Sequence, residues 1–190
     1  MKHLHAAALI GAITLLAACG TTPKTDAPAA APVAQPTSVA IAQPVRIPAA
    51  ASRTVVLNMT GPKAVTEAKD WASFKEEWRA TFAEHAKAQG IAFSMQQGDV
   101  RPAAAPGTVL DVVVNDYRQV GIGARIFLGV MTGNAYIDAK VTYADLNGGA
   151  AFGQQTYSTS STAWAGVFAK MTPQQVDAIA TEVFTTLKPR

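Results

Sequence analysis

Between Asn134 and Leu146 the chain alternates with a period of two. Ala135, Ile137, Ala139, Val141 and Tyr143 fall on one side, and Tyr136, Asp138, Lys140 and Thr142 on the other. Successive side chains of a strand point to opposite faces, so this run suits a strand with one face on a core and one toward water. A helix through the same residues would scatter its apolar groups around the whole axis. The pattern predicts a half-buried, mainly antiparallel sheet, because strands of an all-parallel sheet read as unbroken apolar runs. Whatever else the chain does, it has to cover that apolar face.

Candidates for the cover lie on both sides of the run. A helix is predicted over 70–89, where Trp71, Phe74, Trp78, Phe82 and His85 recur at three- and four-residue spacing. Asp70 and Ser73-x-x-Glu76 offer N-capping chemistry, and Gly90 suits a left-handed stop. Core packing is the expected role of those aromatics, and the charged residues between them form a solvated face. A second helix is predicted from Thr172-Pro173-Gln174-Gln175, with Thr at the N-cap, Pro at N1 and a stripe of Val176, Ile179, Ala180, Val183 and Leu187. Further strands are expected over 53–59, 91–95, 108–120 and 151–161. Gly61-Pro62 and the 102–107 Pro/Ala/Gly stretch act as breakers, and Asn147-Gly148-Gly149 serves as a hairpin turn. A short helical or docking segment is expected around Trp164, Val167, Phe168 and Met171. The predicted class is α+β: one mixed or antiparallel sheet of about five strands with two main helices, spanning residues 53–190 as a single domain.

Upstream, composition changes. From Gly20 to Ser52 the chain is Ala, Pro, Thr, Val and Gln, with Pro23, Pro28, Pro32, Pro36, Pro44 and Pro48 spread along it. Proline fixes φ, lacks an N–H donor and biases the residue before it toward extended geometry. Residues 19–52 are therefore expected to be a disordered linker whose role is reach, about 30 Å as a flexible coil. Ahead of it, Met1-Lys2-His3-Leu4-His5 is a short basic leader to the apolar stretch 6–18. That stretch is only about 20 Å long as a helix, too short to span a bilayer, and matches the core of a signal peptide occupying residues 1–18.

The stretch closes on Leu16-Ala17-Ala18-Cys19, which supplies the chain's sole cysteine. Those four residues resemble the bacterial lipobox. The resemblance implies cleavage before Cys19, a diacylglycerol thioether on its sulfur and, in many bacteria, an acylated amine. Two or more chains hold a protein stably on a membrane where one does not. Gly20 is not the aspartate that commonly retains such proteins on the inner membrane, so the outer membrane facing the periplasm is favoured. The expected partners are the membrane, through the lipid on Cys19, and other envelope proteins.

With Cys19 consumed, the chain has no internal disulfide and no thiolate chemistry. The net charge of +3 is scattered rather than gathered into the basic stripe that tracks phosphate, so nucleic acid is not expected as a partner. His85 stands alone beyond the leader, and no G-x-S-x-G, H-E-x-x-H, Walker or C-x-x-C pattern is present. Asp111, Asp116, Asp138 and Asp145 could pair in three dimensions, but surface carboxylates are the default. No enzyme activity, metal or cofactor is expected.

The region 108–141 resembles a family of bacterial lipoproteins that carry domain of unknown function 4410. The matching residues are Val109-Leu-Asp-Val-Val-Val114, then Arg125-x-x-x-Gly129-x-x-x-Gly133, then Ala135-x-Ile137-x-Ala139-x-Val141. The turn over 145–149 also fits that family. The resemblance implies an α/β periplasmic module and brings no catalytic residues with it.

Inside it lies the odd stretch 121–133, where Arg125 is the lone charge among Ile122, Ile126, Phe127, Leu128, Val130 and Met131. The bland reading is a connection whose apolar side chains fold back on the sheet. The sharper one makes Arg125, Ile126, Phe127, Leu128, Val130 and Met131 a contact patch for a partner. The functional expectation is a non-enzymatic, membrane-anchored interaction or accessory module of the cell envelope. The alternative is a small-molecule or glycan binding module using the polar strand near Tyr157 and Trp164.

Overall fold

A computed structural model of the chain describes residues 36–43, 45–100, 102–119, 134–160 and 171–188. The fold is α+β. The strands, in chain order, are β1 (Pro36–Gln43), β2 (Thr54–Thr60), β3 (Ala92–Gln96), β4 (Thr108–Arg118), β5 (Tyr136–Asp145) and β6 (Ala151–Ser160). The helices are α1 (Lys63–Thr66), α2 (Trp71–Ala88) and α3 (Met171–Leu187). The strands form one six-stranded sheet in the order β1-β6-β5-β4-β2-β3.

The alternating run behaves as its period requires. β5 sits between β4 and β6, antiparallel to both, with Val112 opposite Val141 and Ala139 opposite Tyr157. Ile137, Ala139, Val141 and Tyr143 are buried, while Tyr136, Asp138, Lys140 and Thr142 are half-exposed on the other face. The mixed character of the sheet comes from β2, which runs parallel to both β3 and β4. A parallel neighbour needs a long crossover; α1 and α2 lie between β2 and β3.

The α2 aromatics form the ridge that covers the sheet. Trp71, Phe74, Trp78 and Phe82 are buried. Their rings follow one another down the helix at centroid separations of 5.9, 6.0 and 5.2 Å. Phe74 also stacks at 4.1 Å on Tyr117 of β4. From α3, Val176, Ile179, Ala180, Val183, Phe184 and Leu187 join the same core. His85 is not part of that ridge: Ala86 takes the buried position, and His85 lies over Phe184 with its Nε2 2.7 Å from Asp177 Oδ1, tying α2 to α3. Gly90, at φ 67°, stops α2 in the left-handed region, as glycine does without a Cβ penalty.

Asp70 caps differently from the expected pattern. It occupies the N-cap position of α2 without a side-chain capping bond. Its carboxylate instead accepts the Tyr117 hydroxyl at 2.7 Å, fastening the start of α2 to the end of β4. Burial, then that bond, raises the Tyr117 pKa. Where β2 turns into α1, Gly61 permits a close approach: a Cβ there would stand 2.6 Å from the Val114 carbonyl oxygen.

Two further expectations change. Beside the expected strands the sheet has one more, β1, which comes from within the expected 19–52 linker. Between Pro36 and Pro44 lies a stretch with no internal proline, Thr-Ser-Val-Ala-Ile-Ala-Gln, and it pairs antiparallel with β6. Pro36 is the first residue of an edge strand, a place where a missing N–H costs little. The end of the linker is also ordered, with a 3-10 turn at Ala51–Arg53 that buries Ala51 and Ser52. The last helix starts at Met171, one residue ahead of the expected Thr172 cap, and Thr172 is itself buried.

Candidate functional site

The expected sites fall mostly outside the described residues. Cys19 does, as do Arg125, Ile126, Phe127, Leu128, Val130 and Met131, and also Trp164 with the docking segment around it. Residues on either side of 120–133 belong to β4 and β5, which are antiparallel neighbours. At that end of the sheet the Tyr136 hydroxyl donates to Asp116 Oδ2 at 2.8 Å, raising the Tyr136 pKa, and the Tyr117 backbone N–H donates to Asp116 Oδ1. Asn115 reaches Asp138 at 3.5 Å. Asp116 and Asp138 stand opposite each other in the strand register but are held by different donors. No carboxylate pair with an obvious acid–base role forms there.

Tyr157, beside which the sequence placed a polar binding strand, is fully buried on the helix side of β6. Gln155 Oε1 accepts both the Tyr143 hydroxyl at 2.5 Å and the Tyr157 hydroxyl at 2.7 Å. Gln155 Nε2 in turn donates to Thr186 of α3 at 3.3 Å. Burial pushes the Tyr157 hydroxyl up to about 12 and raises that of Tyr143 further. The group is a satisfied core network. What β6 presents outward is Gln154, Thr156 and Ser158.

The helix-free face of the sheet has its own small core of Val56, Val109, Ala144 and Leu146, against which Val100 and Ala103 pack. Beside it the Asn58 amide donates to Asp111 Oδ1 at 2.9 Å across the β2–β4 pair. The segment leading from β3 folds over this spot, with the Ala103 N–H bonded to the Leu146 carbonyl at 3.2 Å. A cleft of about 270 Å³ remains, lined by Asn58, Asp99, Asp111 and Asp145 among others. Of those, the sequence offered Asp111 and Asp145 as carboxylates able to pair. Asn58 carried no signal, because its partner Asp111 lies on another strand, and nothing in the sequence singled out Asp99.

A second depression of about 530 Å³ lies where α2 and α3 end, lined by Arg53, Gln89, Leu187 and Lys188 among others. Cations at helix C-termini answer the partial negative charge of unpaired carbonyls, which is reason enough for Arg53 and Lys188 there. Among the described residues no group of three or more His, Cys, Asp or Glu side chains could hold a metal ion, and no helix is long and apolar enough to cross a membrane.

No protein-family model matches the chain, and no curated protein matches it either. Solved structures do. The chain is similar to a PelC dodecamer from Paraburkholderia phytofirmans, with a TM-score of 0.51 at 15% identity over 80% of this chain and 98% of that one. A variant of that protein in another space group superposes with a TM-score of 0.49 at 14% identity, again over 80% and 98%. An uncharacterized protein gives 0.44 at 10% identity over 72% and 90%. The first of these shows a shared fold across nearly the whole of the neighbour.

Proposed function

We propose that the protein is a lipid-anchored, non-enzymatic module of the bacterial cell envelope, held on the outer membrane facing the periplasm and acting through protein contacts. The observation that carries this reading is Leu16-Ala17-Ala18-Cys19 at the end of an apolar stretch too short to span a bilayer. The likeness to the lipoprotein family with domain of unknown function 4410 points the same way. A dodecameric neighbour of the same fold adds that such a domain can work as one of many copies. The contacts are assigned to the apolar stretch 121–133, with Phe127 and Met131 as the positions to test.

In-cell crosslinking followed by mass spectrometry of the partners tests the proposal. The chain should crosslink to envelope proteins or to other copies of itself. Phe127→Asp and Met131→Asp should each weaken that capture at least several-fold while the circular dichroism of the purified protein stays unchanged. If both substitutions unfold the domain, the stretch packs on the sheet. If capture persists at full strength in a folded variant, the contact lies elsewhere.

A further inference from the structure

The buried amide on the helix-free face has one partner too few. Asn58 is 7% exposed, and its Nδ2 is spent on Asp111 Oδ1 at 2.9 Å. A carboxylate only accepts, so this contact fixes which end of the amide faces Asp111; flipped, two acceptors would meet. The Asn58 Oδ1 that results is buried and has no hydrogen-bond donor. A buried polar atom left this way is one that a bound water, ion or ligand would satisfy. Asn58 is among the residues that line the 270 Å³ cleft.

The rest of the lining narrows the donor's chemistry. Asp99, Asp111 and Asp145 contribute carboxylates, and no basic side chain lines the cleft among the described residues. Acceptors of this sign disfavour an anion. A bare metal ion is disfavoured too, since no three ligating side chains converge. What fits is a cation spread over several N–H donors, able to reach acceptors that do not share one point. The volume is slightly below the roughly 300–1,000 Å³ of drug-sized ligand sites, which leaves room for one headgroup on a short stem. Val109 and Leu146 give that stem an apolar wall. A guanidinium meets these demands better than an ammonium, being planar, less strongly hydrated and five-donor.

We infer that the cleft is a binding site for a small alkylguanidinium, with Asn58 Oδ1 and the Asp111 carboxylate as its principal acceptors. This inference rests neither on the contact role proposed for 121–133 nor on the lipid anchor.

Calorimetric titration of the full-length chain in nonionic detergent with n-butylguanidinium tests the inference, with neutral n-butylurea as the isostere. The cation should bind saturably at one site per chain, and the urea at least tenfold more weakly. Asp111→Asn retains an acceptor for the Asn58 amide but loses the charge; it should lower affinity at least tenfold with the thermal midpoint unchanged. Asn58→Leu should abolish binding if the variant folds, and Asp111→Asn decides the matter if it does not. Three results would overturn the inference. One is no saturable heat with the wild-type chain. Another is equal affinity for the urea or in Asp111→Asn, which would mean that the ligand's charge and the Asp111 carboxylate do not govern binding. The last is binding that appears only in Arg101→Ala, which would mean that the chain's own arginine, next to Val100 and Pro102 in sequence, already fills the cleft.

Discussion

Gln155 accepts two tyrosine hydroxyls in a place that water does not reach. Removing the acceptor leaves the two hydroxyls only each other, 3.3 Å apart, so one of them loses its acceptor, whereas removing one hydroxyl leaves the remaining groups paired. Gln155→Leu should therefore lower unfolding free energy by about 1–3 kcal/mol and Tyr143→Phe by only about 1 kcal/mol, read from urea denaturation. The same residues set an alkaline limit. Burial raises both tyrosine pKa values above the ordinary 10, that of Tyr157 to about 12. Between pH 10 and 12 the unfolded chain therefore holds fewer protons than the folded one, and stability falls as pH rises. It is intact below pH 10 and drops by up to about 1.4 kcal/mol per pH unit for each such tyrosine. Denaturation midpoints measured from pH 8 to 11.5 should show the decline, and Tyr143→Phe should flatten it. A decline of equal slope in that variant would place the titration elsewhere.

At the scale of elements, α2 was the most legible part of the chain. Its aromatic spacing picks out Trp71, Phe74, Trp78 and Phe82, and all four are buried. Trp78 lies at the centre of the ridge, so Trp78→Ala should cost about 3–5 kcal/mol, measured by urea denaturation. Its buried Nε1 has no hydrogen-bond acceptor, so the loss comes from packing alone and Trp78→Phe should recover much of it. Strand β5 was equally clear, because a period of two has one structural reading. β1 was hidden for a physical reason: its sequence differs little from the proline-rich stretch before it, and its reason for ordering is an open edge on β6 more than a hundred residues later. Removing residues 1–35 should leave the domain's thermal midpoint within a few degrees. Removing residues 1–44 as well strips the β6 edge and should bring a clear drop in midpoint together with concentration-dependent aggregation, followed by light scattering. The parallel pairing of β2 was equally unreadable, since Val55-Val56-Leu57 is a short apolar run that suits either orientation. The cleft shared this difficulty, as Asn58 acquires its meaning only when β4 brings Asp111 alongside.

For the whole molecule, the account joins a compact α+β domain to a membrane through one residue, and its central claim is chemical. The sheet and helices would fold alike with or without an anchor, so their stability says nothing about where the protein works. The proposed lipid on Cys19 would change that: a domain free to diffuse in three dimensions would be confined to a surface, where weak contacts between copies or with neighbours are reinforced by effective concentration. Cys19→Ser should release the protein from the membrane fraction while leaving its circular dichroism unchanged, a result readable by fractionation and immunoblot. The most direct measurement is intact mass spectrometry of the chain recovered from the membranes of bacterial cells that produce it. The account predicts a mature protein beginning at Cys19 and heavier than its peptide mass by a diacylglycerol, with or without an added acyl chain. A product with an unmodified Cys19 thiol, recovered from the soluble fraction, would contradict it.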